Sequence, residues 1–225
     1  MTASFPERRR LCDLGITVGR LPTGRLNAIT DVAGVRVGHA TVWRDSPRVS
    51  RTGVTAIWPS DDPWGSEVFA GTYSFNGCGE FTGWLWLEES GCLTSPIMMT
   101  GTHSVGAVRD AMINIAEERG HPAFWHLGLV GETYDGFLSD AYANAVQKDE
   151  VAAALDAATS GLPDEGCVGG GTGMNCHEFK GGIGTSSRVV EIAGERYTVG
   201  VIVQANYGVR EELSIDGVPV GREIG

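Results

Sequence analysis

The sequence predicts an α+β layered domain, and three observations carry that expectation. Strand-like alternation occupies both ends of the chain, helical spacing is concentrated in the middle, and glycine punctuates the junctions between them. A strictly alternating doubly wound sheet would instead scatter helices among all the strands. Taken in order, Leu26 to Val42 alternates apolar with small or polar residues through Ile29, Val35, Val37 and Val42, broken at Ala33-Gly34, which predicts strand, turn, strand. Val54-Thr55-Ala56-Ile57-Trp58 before Pro59, and Pro96-Ile97-Met98-Met99, are apolar runs of strand length, although periodicity alone does not prove a buried strand. From Ser104 the apolar residues Val105, Val108, Met112 and Ile115 recur three and four apart. Arg119-Gly120 then supplies a basic last turn and a glycine stop, so this segment is expected to be helical. Phe124 to Val130 has strand length. A second helical region is expected from Phe137 to Ala158, with a break near Lys148-Asp149, ending before Gly161 and Pro163. Arg188 to Ile192, a turn at Ala193-Gly194-Glu195, and Arg196 to Ala205 read as a hairpin rich in Val, Ile and Tyr.

Composition bounds the function. The 225 residues, 42% of them hydrophobic, suit a single domain over 1–225 with one sizeable core, and neither a linker nor an internal repeat divides the chain. No run approaches the ~18 apolar residues of a spanning helix, so no membrane partner is expected. With 17 Lys+Arg against 28 Asp+Glu the net charge is −11, which repels phosphate backbones, and no basic cluster is interleaved with aromatics; a nucleic-acid partner is not expected either. Glycine, at 33 residues, is about twice its usual share of ~7% and points to many tight turns or close backbone approaches. Five cysteines, at 12, 78, 92, 167 and 176, form no C-x-x-C pair and read as reduced thiols. Arg8-Arg9-Arg10 is followed by Leu11-Cys12-Asp13-Leu14-Gly15 and not by an apolar export segment, so a cytoplasmic location is expected.

Several familiar chemistries fail at the residue level. Gly169 to Gly173 and Gly181 to Thr185 lack the Gly-Lys-Ser/Thr of a phosphate loop and the G-x-G-x-x-G of a dinucleotide site; sharp turning or close approach is the simpler reading. The histidines at 39, 103, 121, 126 and 177 contain no H-E-x-x-H, so no metal site is expected. Gly184-Thr185-Ser186-Ser187-Arg188 is not a nucleophile elbow, and no complete nucleophile and base set is legible. Two strand ends are more informative. In Gly131-Glu132-Thr133-Tyr134-Asp135-Gly136, Glu132 and Tyr134 are two apart and share a face if extended, placing a carboxylate beside a phenol. That pair suits a cationic amine next to a polarised carbonyl; a solvated strand end is the alternative. Gln204-Ala205-Asn206-Tyr207-Gly208 puts amides at the end of a buried strand, where Asn206 either donates to an oxyanion or caps a turn.

Together these stretches resemble a known family. Leu21-Pro22-Thr23-Gly24 running into Leu26 to His39 is similar to the opening of the self-processing aminopeptidases that include L-aminopeptidase/D-amidase/D-esterase and the β-peptidyl aminopeptidases. Asn76-Gly77-Cys78-Gly79-Glu80, Thr102-His103-Ser104-Val105-Gly106, Glu132 to Gly136, Gly169 to Met174, Phe179 to Arg188 and Val203 to Gly208 match in order, so the resemblance covers about Leu14 to Gly221. It implies a precursor that cuts itself once, giving a long α chain and a shorter β chain whose new N-terminal Ser is the nucleophile, with its own α-amine as base. It also implies a four-layer αββα sandwich completed by that separate β chain, similar in arrangement to the N-terminal-nucleophile hydrolases though differently connected. Oligomers of αβ units, a small peptide or amide substrate and the absence of metal or cofactor follow from it. On this resemblance the chain is the α part. Glu132 matches the acidic residue that receives the substrate's free amine, Tyr134 a tyrosine near the nucleophile, and Asn206 the oxyanion-hole asparagine. Two alternatives stay open: self-cleavage inside this chain at Gly184-Thr185, with Thr185 as nucleophile, and a noncatalytic binding or assembly relative on the same scaffold.

Overall fold

In the computed structural model the described residues are 9–121 and 125–224. Arg8, of the arginine run, and Phe124, the expected start of a strand, lie outside them. In chain order the strands are β1 (Arg36–Arg44), β2 (Ser50–Trp58), β3 (Val68–Phe69), β4 (Cys92–Leu93), β5 (Ile97–Gly101), β6 (Leu129–Thr133), β7 (Asn175–Cys176), β8 (Phe179–Lys180), β9 (Gly182–Ile192) and β10 (Glu195–Ala205). The α-helices are α1 (Trp84–Ser90), α2 (Val105–Glu118) and α3 (Lys148–Asp156).

A four-stranded sheet in the order β1-β2-β5-β6 forms the centre. Its first three strands pair antiparallel, and β5 and β6 run parallel, joined through α2. Alternation gives the two faces different chemistry. One face carries Val42, Val54, Ala56, Met98 and Val130, which bury against Val105, Val108, Met112 and Ile115 of α2 and Val151, Ala154 and Leu155 of α3 in one apolar cluster. The other face carries His39, Thr41, Thr55 and Thr133, and it receives a 3-10 turn at Gly169–Gly171, beyond which lies the β9-β10 hairpin.

That turn shows what three of the 33 glycines are for. Gly169 N–H donates to Thr41 Oγ1 at 2.9 Å and Gly170 N–H to Thr55 Oγ1 at 3.2 Å, so its backbone donors are spent on the sheet and form no phosphate cradle. A Cβ on Gly169 would lie 2.4 Å from Thr55 Oγ1, and one on Gly170 2.1 Å from Gln204 Oε1. Only a chain without side chains fits between the two layers. Lys180 Nζ reaches the carbonyls of Gly171, Met174 and Gly181 and so staples this turn to the start of the hairpin.

The hairpin is as expected and longer, eleven residues in each strand. Its two-residue turn, Ala193-Gly194, has positive φ at both positions (54° and 85°), the conformation that matches strand twist. Strands β2 and β5 and helix α2 also fall where their patterns place them.

Three expectations are corrected. Residues 26–35 form bends and a 3-10 turn (Ile29–Asp31), not a first strand. The Asp31 carboxylate accepts from the N–H groups of Leu26 and Ala28 and from Ser187 Oγ, while Asn27 turns with φ 48°; these side-chain bonds outcompete a ladder. The helix expected from Phe137 contracts to α3. Asp140 caps a 3-10 turn (Ala141–Ala143) by accepting from Tyr142 N–H, and Asn144 is left-handed, so the helix restarts only where Glu150 accepts from Gln147 N–H. The fourth strand of the central sheet, β6, runs over Leu129–Thr133, starting five residues and ending three residues later than its apolar run suggested. Helix α1 had no sequence expectation; it is bracketed by left-handed Gly83 and Gly91. Among the described residues no helix is long and apolar enough to cross a membrane.

Candidate active site

The seam between the central sheet and the hairpin closes at one end on Tyr134 and Asn206, with Glu132 two residues before Tyr134 on β6. Strand β6 delivers Glu132 in register with Thr100 of β5, and Tyr134 follows one residue past its end. Strand β10 delivers Asn206 one residue past its own end. The two ends meet directly: Asn206 Oδ1 accepts from Tyr134 N–H at 3.3 Å, and Asn206 Nδ2 donates to Tyr134 O at 3.2 Å and to Asn175 O at 3.0 Å. The side-chain amide thus pairs with a peptide unit as a neighbouring strand would. Two residues earlier, Gln204 Nε2 donates to Thr133 Oγ1 at 2.7 Å and Thr100 O at 3.0 Å, a second tie across the seam.

Of the three residues singled out in the sequence, Tyr134 and Asn206 are therefore in direct contact, and Glu132 lies two residues before Tyr134. Glu132 is partly buried and accepts from Glu80 N–H at 2.9 Å and from the Thr102 hydroxyl. Tyr134 is 54% exposed, with its ring folded back over Gly136, where a Cβ would lie 2.3 Å from the phenolic oxygen. Strand β6 ends at Thr133, so Tyr134 stands just outside it.

Sequence reasoning passed over Thr102, Gln204 and Asp135. Thr102 lies within a motif whose match to the family was noted without a role, and its partner is 30 residues away; no local pattern reveals it. Asp135 is only 4% exposed and is wedged where Gly101 and Gly173 lack side chains: a Cβ at either would lie 2.2 Å from its Oδ2 or 2.7 Å from its Cβ. Burial raises its pKa above the ordinary 3.8, an effect only partly offset by the Thr52 side chain and by His103, while nearby Glu132 pushes in the same direction as burial. A carboxyl whose pKa is raised on folding supports the fold below its ordinary pKa and loses that support as pH climbs through the raised value. Asp135→Asn is accordingly expected to gain Tm relative to the parent as pH rises from about 4 toward neutrality, with little difference at the acid end. Parallel curves across pH would refute a protonation-linked cost at this position. His39, on the hairpin-facing side of β1, is shifted downward by burial, and its Nδ1 lies 2.9 Å from Thr55 Oγ1.

The layered arrangement is similar to one described as a new variant among the Ntn hydrolase fold. The chain matches, over residues 27–225, the model of peptidase family S58, and it belongs to that family. It is 45% identical over 228 residues to beta-peptidyl aminopeptidase BapA of Sphingosinicella microcystinivorans and 47% identical over 226 residues to BapA of Sphingosinicella xenopeptidilytica. These alignments cover 99% and 96% of this chain but 57% and 56% of the relatives, so the chain spans a little over half their length. Among solved structures it superposes on a Burkholderia sp. beta-aminopeptidase with TM-score 0.93 at 51% identity, covering 96% of this chain and 62% of that one. On the L-aminopeptidase D-Ala-esterase/amidase of Ochrobactrum anthropi, described as a prototype for the serine aminopeptidases and a new variant among the Ntn hydrolase fold, the TM-score is 0.90 at 42% identity, covering 96% and 63%.

Proposed function

We propose that this chain is the α part of a serine aminopeptidase that hydrolyses an amide or ester bond next to a free amino group through an acyl-enzyme. The direct pairing of Asn206 with Tyr134, two residues along the chain from Glu132, is the observation that carries this reading. Glu132 receives the substrate ammonium, for which a partly buried carboxylate replaces lost hydration. Asn206 supplies an amide donor to the developing oxyanion, taking its hydrogen from the longer bond to Tyr134 O. Tyr134 presents its hydroxyl to the reacting carbonyl. The nucleophile is the N-terminal Ser of a β chain from the same precursor, and αβ units associate further.

A second observation supports the partner. Tyr197, Val199, Val201 and Val203 alternate along β10 on one face and remain 46–52% exposed, an apolar stripe of the kind that marks an interaction surface. Cleavage within this chain at Gly184-Thr185 is less well supported. Thr185 sits inside β9, and its hydroxyl donates to Val201 O at 2.7 Å and accepts from Ile29 N–H at 2.8 Å, a scaffold role.

The test is to purify the complete gene product and measure intact mass alongside turnover of free-amine and N-acetylated aminoacyl anilides. Two fragments, the shorter beginning with Ser, and activity confined to the free-amine substrate are expected; full activity in an uncut chain would overturn the reading. Expressed alone, residues 1–225 are expected to self-associate through the β10 stripe, and a stable monomer in sedimentation would contradict the partner surface.

A further inference from the structure

We propose that Thr102 and the backbone of Gly79-Glu80 form a two-sided clamp that fixes the plane of the Glu132 carboxylate, making Thr102 a positioning residue that determines which substrate amines are accepted. The inference rests on the reading that Glu132 receives the amine.

Each Glu132 oxygen has its own donor from a different segment. The Thr102 hydroxyl donates to Oε2, and Glu80 N–H donates to Oε1 at 2.9 Å. The terminal torsion of a glutamate is otherwise broad and roughly two-fold, so a free carboxylate presents no fixed lone-pair direction. Held at both oxygens, it keeps acceptor capacity in one plane only, because each ionised oxygen has room for a further bond.

Both donors are themselves anchored. Thr102 begins a 3-10 turn (Thr102–Ser104) that joins β5 directly to α2, so its position is set by two elements of the core. The opposing loop is tied internally, with Cys78 N–H donating to Asn76 Oδ1 at 2.9 Å and Ser74 Oγ to Asn76 O at 2.8 Å. Gly79 completes the clamp by lacking a side chain: a Cβ there would lie 2.9 Å from Glu132 Oε1 and displace the carboxylate. Asn206 is tied to the backbone of Tyr134, two residues along from Glu132, so the clamped carboxylate and the amide donor are held from one short stretch of chain. The clamp therefore measures the spacing between amine and carbonyl in the substrate, and loosening it blurs discrimination between α-amino and β-amino acyl groups.

The experiment measures steady-state kinetics of the complete enzyme on α-aminoacyl and β-aminoacyl anilides and on a desamino ester lacking the amine. Thr102→Val is expected to raise KM for the preferred free-amine substrate roughly tenfold, the scale of one hydrogen bond to a charged group. Its kcat and its turnover of the desamino ester should change little, the α/β preference should narrow, and Thr102→Ser should restore the parent values. Gly79→Ala approaches the same carboxylate from the other side and should raise the same KM. A folded Thr102→Val enzyme with unchanged KM and unchanged α/β preference overturns the clamp. Should that variant fail to fold, an unchanged KM in Gly79→Ala overturns it instead. Glu132→Gln separates the two levels: if it leaves the ratio of free-amine to desamino turnover unaltered, the amine site itself is misassigned. If it lowers that ratio while neither clamp variant moves it, only the clamp fails.

Discussion

Asn206→Ala is expected to lower kcat by about 10²–10³, the usual cost of removing one oxyanion donor, while KM for a free-amine substrate stays within a few-fold. The geometry sharpens the expectation. Asn206 Nδ2 lies 3.0 Å from Asn175 O and 3.2 Å from Tyr134 O, so donation to a reacting oxygen exchanges the longer contact for a charge-assisted one. Alanine also deletes the acceptor for Tyr134 N–H, and a control must separate chemistry from scaffolding. Asn206→Asp keeps an acceptor at that place but has no donor; it should lose turnover as alanine does while holding Tyr134. Unchanged kcat/KM in the alanine variant would remove Asn206 from the mechanism.

Glu132→Gln should reduce kcat/KM on free-amine substrates by roughly 10²-fold, in line with losing one member of a desolvated charge pair. The amide keeps nearly the same shape and still accepts through its carbonyl oxygen, so the fold is expected to tolerate it. Its NH₂ group, however, would then face either the Thr102 hydroxyl or the Glu80 N–H, both of which donate in the parent. An equal loss on N-blocked and free-amine substrates would contradict amine recognition.

The legible parts of this fold are those encoded by neighbours in sequence. Spacing of three and four placed α2, and Val/Ile/Tyr density around Ala193-Gly194 placed the hairpin. Residues 26–35 misled because their alternation is genuine while the deciding bonds are made by one side chain and are not all local: Asp31 gathers two nearby backbone donors and Ser187, which is 156 residues away. The segment after Phe137 misled for the opposite reason, since helix-compatible composition was overridden by single residues, Asp140 and Asn144, that terminate turns. At the site, Glu132, Tyr134 and Asn206 were each visible as polar residues following apolar strands. The meeting of Tyr134 with Asn206 was not, for it depends on the glycine turn that lets two layers approach, and the bonds of Gln204 and Thr102 cross from one segment to another.

The tight turn at Ala193-Gly194 stands at the far end of an eleven-rung ribbon from Asn206. Side chains on such a ribbon alternate sides, so a slip of a single rung at the bend would swing Gln204 out of the seam and put a valine or alanine in its place. Accuracy at the reacting end is therefore set remotely, by two surface residues that touch no substrate. Any redesign of this protein that treats the distal bend as dispensable decoration would be altering the alignment of its chemistry.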